Sequence, residues 1–323
     1  MSSKAQRRVF VGREDPPGTG VTVDVALRAV ASLKAVVDKQ TPEEDVGSFA
    51  PARHYIGSAH AEGNLEVDGI YEQFPIPVAM AMGEGEVAGS DPYIWTHTLP
   101  DGTPDDFATF SMEYTDGVDH HVRAEDVFAT ALEISGEAGK TWMVKPEVTG
   151  GAVSFPAAPT AYPALGSATP IRMADTTLSI DDAWANLGVT TVPATLISFT
   201  WKLENLQHNK MFAGSLYPSG RGNDRWKTTL EIIAEMGRVK IESEKDKLFT
   251  TGQSAVRIKA LSANAGGAGV DYSAQIGGMY FLKEVNELDD RDGNSTIKLI
   301  YQGEKDSSGN TAQIVTYTSL AAL

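Results

Sequence analysis

Alternation of apolar and polar residues is the feature of this chain that most restricts its fold. Ile197, Phe199, Trp201 and Leu203 alternate with Ser198, Thr200, Lys202 and Glu204. Thr228, Leu230, Ile232, Ala234 and Met236 do the same against Thr229, Glu231 and Glu235, and every odd position from Val21 to Val37 is apolar. A period of two belongs to a strand with one buried face, because successive side chains leave a sheet on opposite sides. A helical template also finds partners in 21–37, where alanine is abundant, but it places Lys34 inside the apolar stripe. AVRIKALSA (255–263) is a further strand. Helix is sparse. RVKIESEKDKLF (238–249) predicts one short helix, and YEQFPIPVAMAM (71–82) another that begins after Pro77. The class is mainly β.

The chain reads as two halves. FPAAPTAYPALGSATP (155–170) holds four prolines among alanines, the composition of an extended linker. LRAVASLKAVVD (27–38) is echoed by IRMADTTLSIDD (171–182), and PARHYIGSAH from Pro51 by PATLISFTWK from Pro193. Each half also carries a hairpin signature, in 128–150 and in 279–303, where a strand meets a glycine-containing acidic turn and a second strand runs to a closing glycine. The expected division is a first β domain over 1–155, a linker over 156–170 and a second β domain over 171–323.

GSAHAEG (57–63) offers a serine, a histidine and a carboxylate in seven residues. The same alternation runs through it. His54, Ser58, His60, Glu62, Asn64, Glu66 and Asp68 fall on one face, and Ala59, Ala61, Leu65 and Val67 on the other. Neighbours on one face of a strand stand about 7 Å apart. A nucleophile and its base need about 3 Å, on a sharp turn. The other histidines lack metal-ligand spacing, and DDRDGN (289–294) lacks most of a calcium loop, including its bidentate Glu. PGTG (17–20) has no following Gly-Lys-Ser/Thr. The expectation is a non-enzyme with no cofactor and no metal.

With no cysteine, disulfides and thiolate metal sites are excluded. The opening residues are too poor in apolar side chains for a signal peptide, and no run approaches the roughly 20 apolar residues of a membrane helix, so no membrane insertion is expected. Net charge is −16, of which residues 1–155 carry −14 and residues 156–323 carry −2. An acidic chain is poorly suited to gripping nucleic acid, since phosphate binding rests on Lys and Arg.

The residues PEEDVGSFAPARHYIGSAHAEGNLEVDGIYEQFPIPVAMAMG (42–83), PYIWTHTLP (92–100) and FATFSMEYTDG (107–117) resemble the major tail tube proteins of long-tailed bacteriophages. In the second half, ISFTWKLENLQHNKMFAGSLYP (197–218), AVRIKALSA and the terminal hairpin are similar in plan. The resemblance implies two antiparallel β-sandwich or split-barrel domains, each with a short flanking helix and long loops. It further implies rings that close edge to edge around a channel and stack into a tube, with three chains supplying a pseudo-sixfold ring. The partners so implied are other copies of the chain, a tape measure protein, and tail terminator and tail-tip proteins. DNA would pass through the channel without specific binding. The place would be the virion tail, assembled in the host cytoplasm. Glu62, Glu66 and Asp68, with Glu204 in the second half, are the candidate channel-facing residues. Tyr93 and Trp95, in the loop 83–106, are candidate contacts between rings, and 262–278 is a second such loop. A tail terminator or tail-tip ring, or a carbohydrate-binding β-protein, are the alternatives.

Overall fold

The structure is a computed structural model. It describes residues 7–43, 53–99, 108–193, 196–204, 207–236, 239–267, 269–291 and 294–323. The first half contains β1 (Arg8–Glu14), β2 (Val25–Leu27), β3 (Ala29–Gln40), β4 (Tyr55–Asp68), α1 (Pro75–Met82), β5 (Glu86–Ala88), β6 (Tyr93–Thr98), β7 (Thr109–Thr115), β8 (His121–Glu137), β9 (Met143–Gly150) and β10 (Val153–Ser154). The second contains β11 (Thr176–Asp181), β12 (Thr191–Val192), β13 (Leu196–Glu204), β14 (Gln207–Lys210), β15 (Gly220–Asn223), β16 (Lys227–Glu235), α2 (Val239–Lys245), β17 (Gln253–Gly267), β18 (Val270–Arg291), β19 (Asn294–Gly303) and β20 (Ala312–Thr318). The chain is mostly β, in large antiparallel sheets, with two short α-helices among the described residues.

The pairings of the first half recur in the second. β3, β4, β9 and β8 lie side by side in that order, and β13, β16, β19 and β18 do likewise. β2, β1 and β7 continue onto the start of β8, as β12, β11 and β17 continue onto the start of β18. The long strands β8 and β18 therefore each serve two sheets, and apolar side chains fill the space between. The two hairpins match residue for residue at a constant offset of 153. Glu133 opposite Lys145 corresponds to Asn286 opposite Lys298, and both hairpins carry a register shift at the same place, Ala129/Ala131 and Leu282/Glu284. Lys34, opposite Glu62, corresponds by the same order to Lys202, opposite Thr229.

The hairpins stand where the sequence puts them, but the other two echoes are displaced. Residues 171–182 form a short 3-10 turn and β11, the counterpart of β1, whereas 27–38 fall mainly in β3. β13, which follows Pro193, matches β3 in the sheet and not β4. Short alternating runs rich in small residues match one another at many offsets; only pairing sets the true one.

α1 starts at Pro75, not after Pro77. Both prolines sit in its first turn, where a missing N–H leaves no helical bond unmade. All eight of its residues are buried, so it has no polar face. It ends at Gly83, whose φ of 91° suits a residue without a Cβ.

Several contacts among the described residues join the halves, and these are prominent among them. β8 pairs with β13, which fuses the two four-strand sets into one eight-stranded sheet. β6 of the first half pairs with β20, at the end of the second. Trp142, from the β8–β9 turn, packs edge-on to Phe199 with ring centroids 5.0 Å apart, and its indole N–H donates to Thr176 Oγ1 at 3.0 Å. The segment 156–170 is extended and docked on the first half. The Thr160 N–H and hydroxyl both donate to the buried Glu113, which also pairs with Arg123 at 2.6 Å.

Candidate functional site

The eight-stranded sheet has one face turned to the core and one to solvent. α1 and the second layer of strands fill the core side. The solvent side is built from the even positions of β4 and their neighbours. In β4, Ala59, Ala61, Leu65 and Val67 are buried, while His60 and Glu62 are half-exposed and Glu66 and Asp68 exposed. Strand periodicity alone produces this split.

Among the described residues, five lysines on this face each meet a carboxylate on the next strand. Lys34 lies 3.2 Å from Glu62, Lys145 3.1 Å from Glu66, Lys202 2.9 Å from Glu133, Lys227 2.9 Å from Glu204 and Lys298 2.7 Å from Glu231. Lys145 stands in register with Glu133 on its other side. Across β4, β9, β8 and β13 the charges thus alternate as Glu66, Lys145, Glu133, Lys202. The His60 hydrogen bond and then the Lys34 ammonium hold the Glu62 carboxyl below the usual carboxylate range. The hydrogen bond from Lys202 to Glu133 raises the lysine. Exposed pairs of this kind contribute about 0–1 kcal/mol each, and cross-strand pairing also helps fix register. Asp68 and Glu147 face the same side with no lysine partner among the described residues.

In GSAHAEG, His60 Nε2 and Glu62 Oε1 are 3.0 Å apart, while Ser58 makes no side-chain hydrogen bond among the described residues. One side of this stretch is covered by a strap from the second half, the hairpin of β14 and β15 with its connecting loop. The Ala59 N–H donates to the Leu216 carbonyl at 2.9 Å, and Asn209 Nδ2–H to Thr149 Oγ1 at 2.8 Å. Arg221 pairs with Asp126, and its guanidinium lies 5.2 Å from the centroid of the Phe128 ring. Between strap and sheet runs an open cleft of about 740 Å3 whose lining includes Lys34, His60, Glu62 and His208. Among the described residues no group of three or more His, Asp or Glu is placed to hold a metal, and no helix is long and apolar enough to cross a membrane.

Trp95 is not a surface anchor. β6 is held as a strand against β20, which turns Trp95 inward to 1% exposure, its indole N–H donating to the Leu320 carbonyl at 2.7 Å. It stacks on the buried His97 with centroids 6.0 Å apart. Tyr93, on the same strand, is half-buried and keeps a solvent-facing surface. Residues 100–106 of this loop, residue 268 of the second loop and residues 292 and 293 of the acidic turn lie outside the described residues.

Sequence reading placed Glu62, Glu66, Asp68 and Glu204 on polar strand faces, and the structure brings them to one side of one sheet. It missed Lys145, Lys202, Lys227 and Lys298 as their neighbours or near neighbours on that face. Each sits at a polar position of its own strand, but nothing local says which strand lies beside it.

No family model and no curated protein matches the chain. Among solved structures it is similar to the SPP1 tail tube determined by solid-state NMR and cryo-electron microscopy. The identity is 12% and the TM-score 0.29, over 47% of this chain and 81% of that one. At that score the likeness carries no weight for function.

Proposed function

We propose that the chain is a structural, non-enzymatic protein whose copies close edge to edge into rings that stack as a phage tail tube. One observation carries this reading. The two four-strand sets are already joined edge to edge through β8 and β13, and the equivalent outer edges are free. Among the described residues β3 pairs only with β4, and β18 beyond Phe281 pairs only with β19. Unpaired edges seek partners, and ring closure removes them. The contact that joins the halves, repeated between copies, sets β18 of one copy beside β3 of the next. Three copies then place six four-strand sets around a channel.

In this reading residues 1–155 and 171–323 are two tube-type units bridged by 156–170. The core side of the sheet is filled, so its ion-paired face lines the channel. Glu62, Glu66, Asp68 and Glu204 belong to that lining, and Tyr93 to contacts between rings. The channel conducts DNA without binding it specifically, and the tape measure, terminator and tip proteins are the other partners. The site of action is the virion tail, after assembly in the host cytoplasm.

Negative-stain electron microscopy of the purified chain tests this. Long hollow tubes are expected. Isolated rings that do not stack would assign it to a terminator or tip instead, and a monodisperse monomer under all assembly conditions would overturn the reading.

A further inference from the structure

We infer that Glu66 and Glu133 act as positioning residues that keep Lys145 and Lys202 from holding DNA phosphate. The inference rests on the assignment of this face to the channel. It goes further by making the placement of carboxylates beside lysines, and not net acidity alone, the property that lets DNA pass.

A wall that merely repels phosphate needs no cations, yet this face carries several. Lys145 sits between Glu66, 3.1 Å away, and Glu133, directly opposite it in register. Lys202 lies 2.9 Å from Glu133. All four side chains are partly open to solvent, between 30% and 49% exposed. A bare ammonium on such a surface attracts phosphate as a point charge and releases counterions when it binds one. A lysine flanked by carboxylates presents a local charge sum near zero, whose field dies away faster than that of a single charge and within the screening length of ordinary salt. The pairs need not be strong to do this. They need only keep a negative charge within a few ångströms of each positive one. The lysines in turn hold the strand register through cross-strand pairing, so the face gains that register without gaining affinity for DNA.

Two double variants separate masking from bulk charge. E66Q/E133Q removes two negative charges and takes from each lysine its nearest carboxylate. D68N/E147Q removes two negative charges from the same face, at positions with no lysine partner. The full-length dispersed chain is titrated against a short fluorescein-labelled DNA duplex at low salt and at increasing salt, with urea midpoints confirming that each variant is folded. E66Q/E133Q is expected to bind roughly tenfold more tightly than D68N/E147Q, with a salt slope steeper by about two, one for each freed lysine. Adding K145Q/K202Q to E66Q/E133Q is expected to restore the wild-type result. Equal behaviour of the two double variants, or a gain that survives K145Q/K202Q, overturns the inference. The titration is read on dispersed chains and tube formation is scored separately by microscopy. Failure of the tube reading and failure of masking are therefore distinct results.

Discussion

Lys202 Nζ and Glu133 Oε2 lie 2.9 Å apart across the seam between the two halves. On the inner side of the same seam Trp201 stands opposite Ile134, and Leu203 opposite Leu132, all buried. The repeat assigns the corresponding positions to Lys34 and Asn286, on the two edges of the sheet that have no further strand partner among the described residues.

That correspondence fixes a register between copies. The chain has no cysteine of its own, so K34C/N286C introduces the only thiols. Directly opposed strand residues have Cα atoms about 5 Å apart, within reach of a short bis-maleimide. Denaturing gels of the assembled double variant are expected to show covalent dimers and trimers, and each single variant neither. Monomer alone from assembled double variant would exclude this edge pairing.

The seam depends on Trp201. It is fully buried, and its indole N–H donates to the Tyr280 hydroxyl at 3.0 Å. Trp201→Ala is expected to lower stability by about 3–5 kcal/mol through lost burial and the cavity left behind. Tyr280→Phe removes only the hydrogen bond and is expected to cost about 1 kcal/mol. Urea unfolding of both variants measures the difference.

His97 makes stability depend on pH. Burial pushes its pKa down to about 4 from 6.5, against the hydrogen bond with the Gly83 carbonyl, 3.1 Å from Nδ1. Between those values the unfolded chain binds a proton that the folded chain refuses. Stability therefore falls as pH drops through this window, by roughly 3 kcal/mol in all. Urea midpoints of wild type and His97→Phe, compared from pH 7 to 4.5, are expected to show a flatter profile for the variant.

Glu113 holds the connecting segment. It is almost wholly buried, paired with Arg123 at 2.6 Å and bonded twice by Thr160. Arg123→Ala strands a buried charge and is expected to cost about 3–5 kcal/mol. Thr160→Val is expected to cost about 1 kcal/mol and to speed protease cleavage within 156–170, read by mass spectrometry. Unchanged cleavage would mean that Thr160 does not latch the segment.

Much of the fold was legible in the chain because strand periodicity is local. The alternation through 54–68 and 197–204 assigned each residue to a face, and burial in β4 and β13 follows it closely. The two hairpins were legible from their turns and closing glycines. Trp95 was not, because an alternating strand says which residues share a face and not which face is covered. The pairing of β6 with β20 joins segments more than two hundred residues apart, and that pairing took Trp95 inside.

The same division holds for the candidate channel face. Sequence alone determined that Glu62, Glu66 and Asp68 share one side of a strand, since adjacent peptide units point their side chains to opposite sides. Only the tertiary structure decided that five lysines of that face each stand beside a carboxylate. Glu66 and Lys145, or Glu133 and Lys202, become neighbours through strand order, and strand order is set by long-range hydrogen bonding and core packing that no local pattern contains.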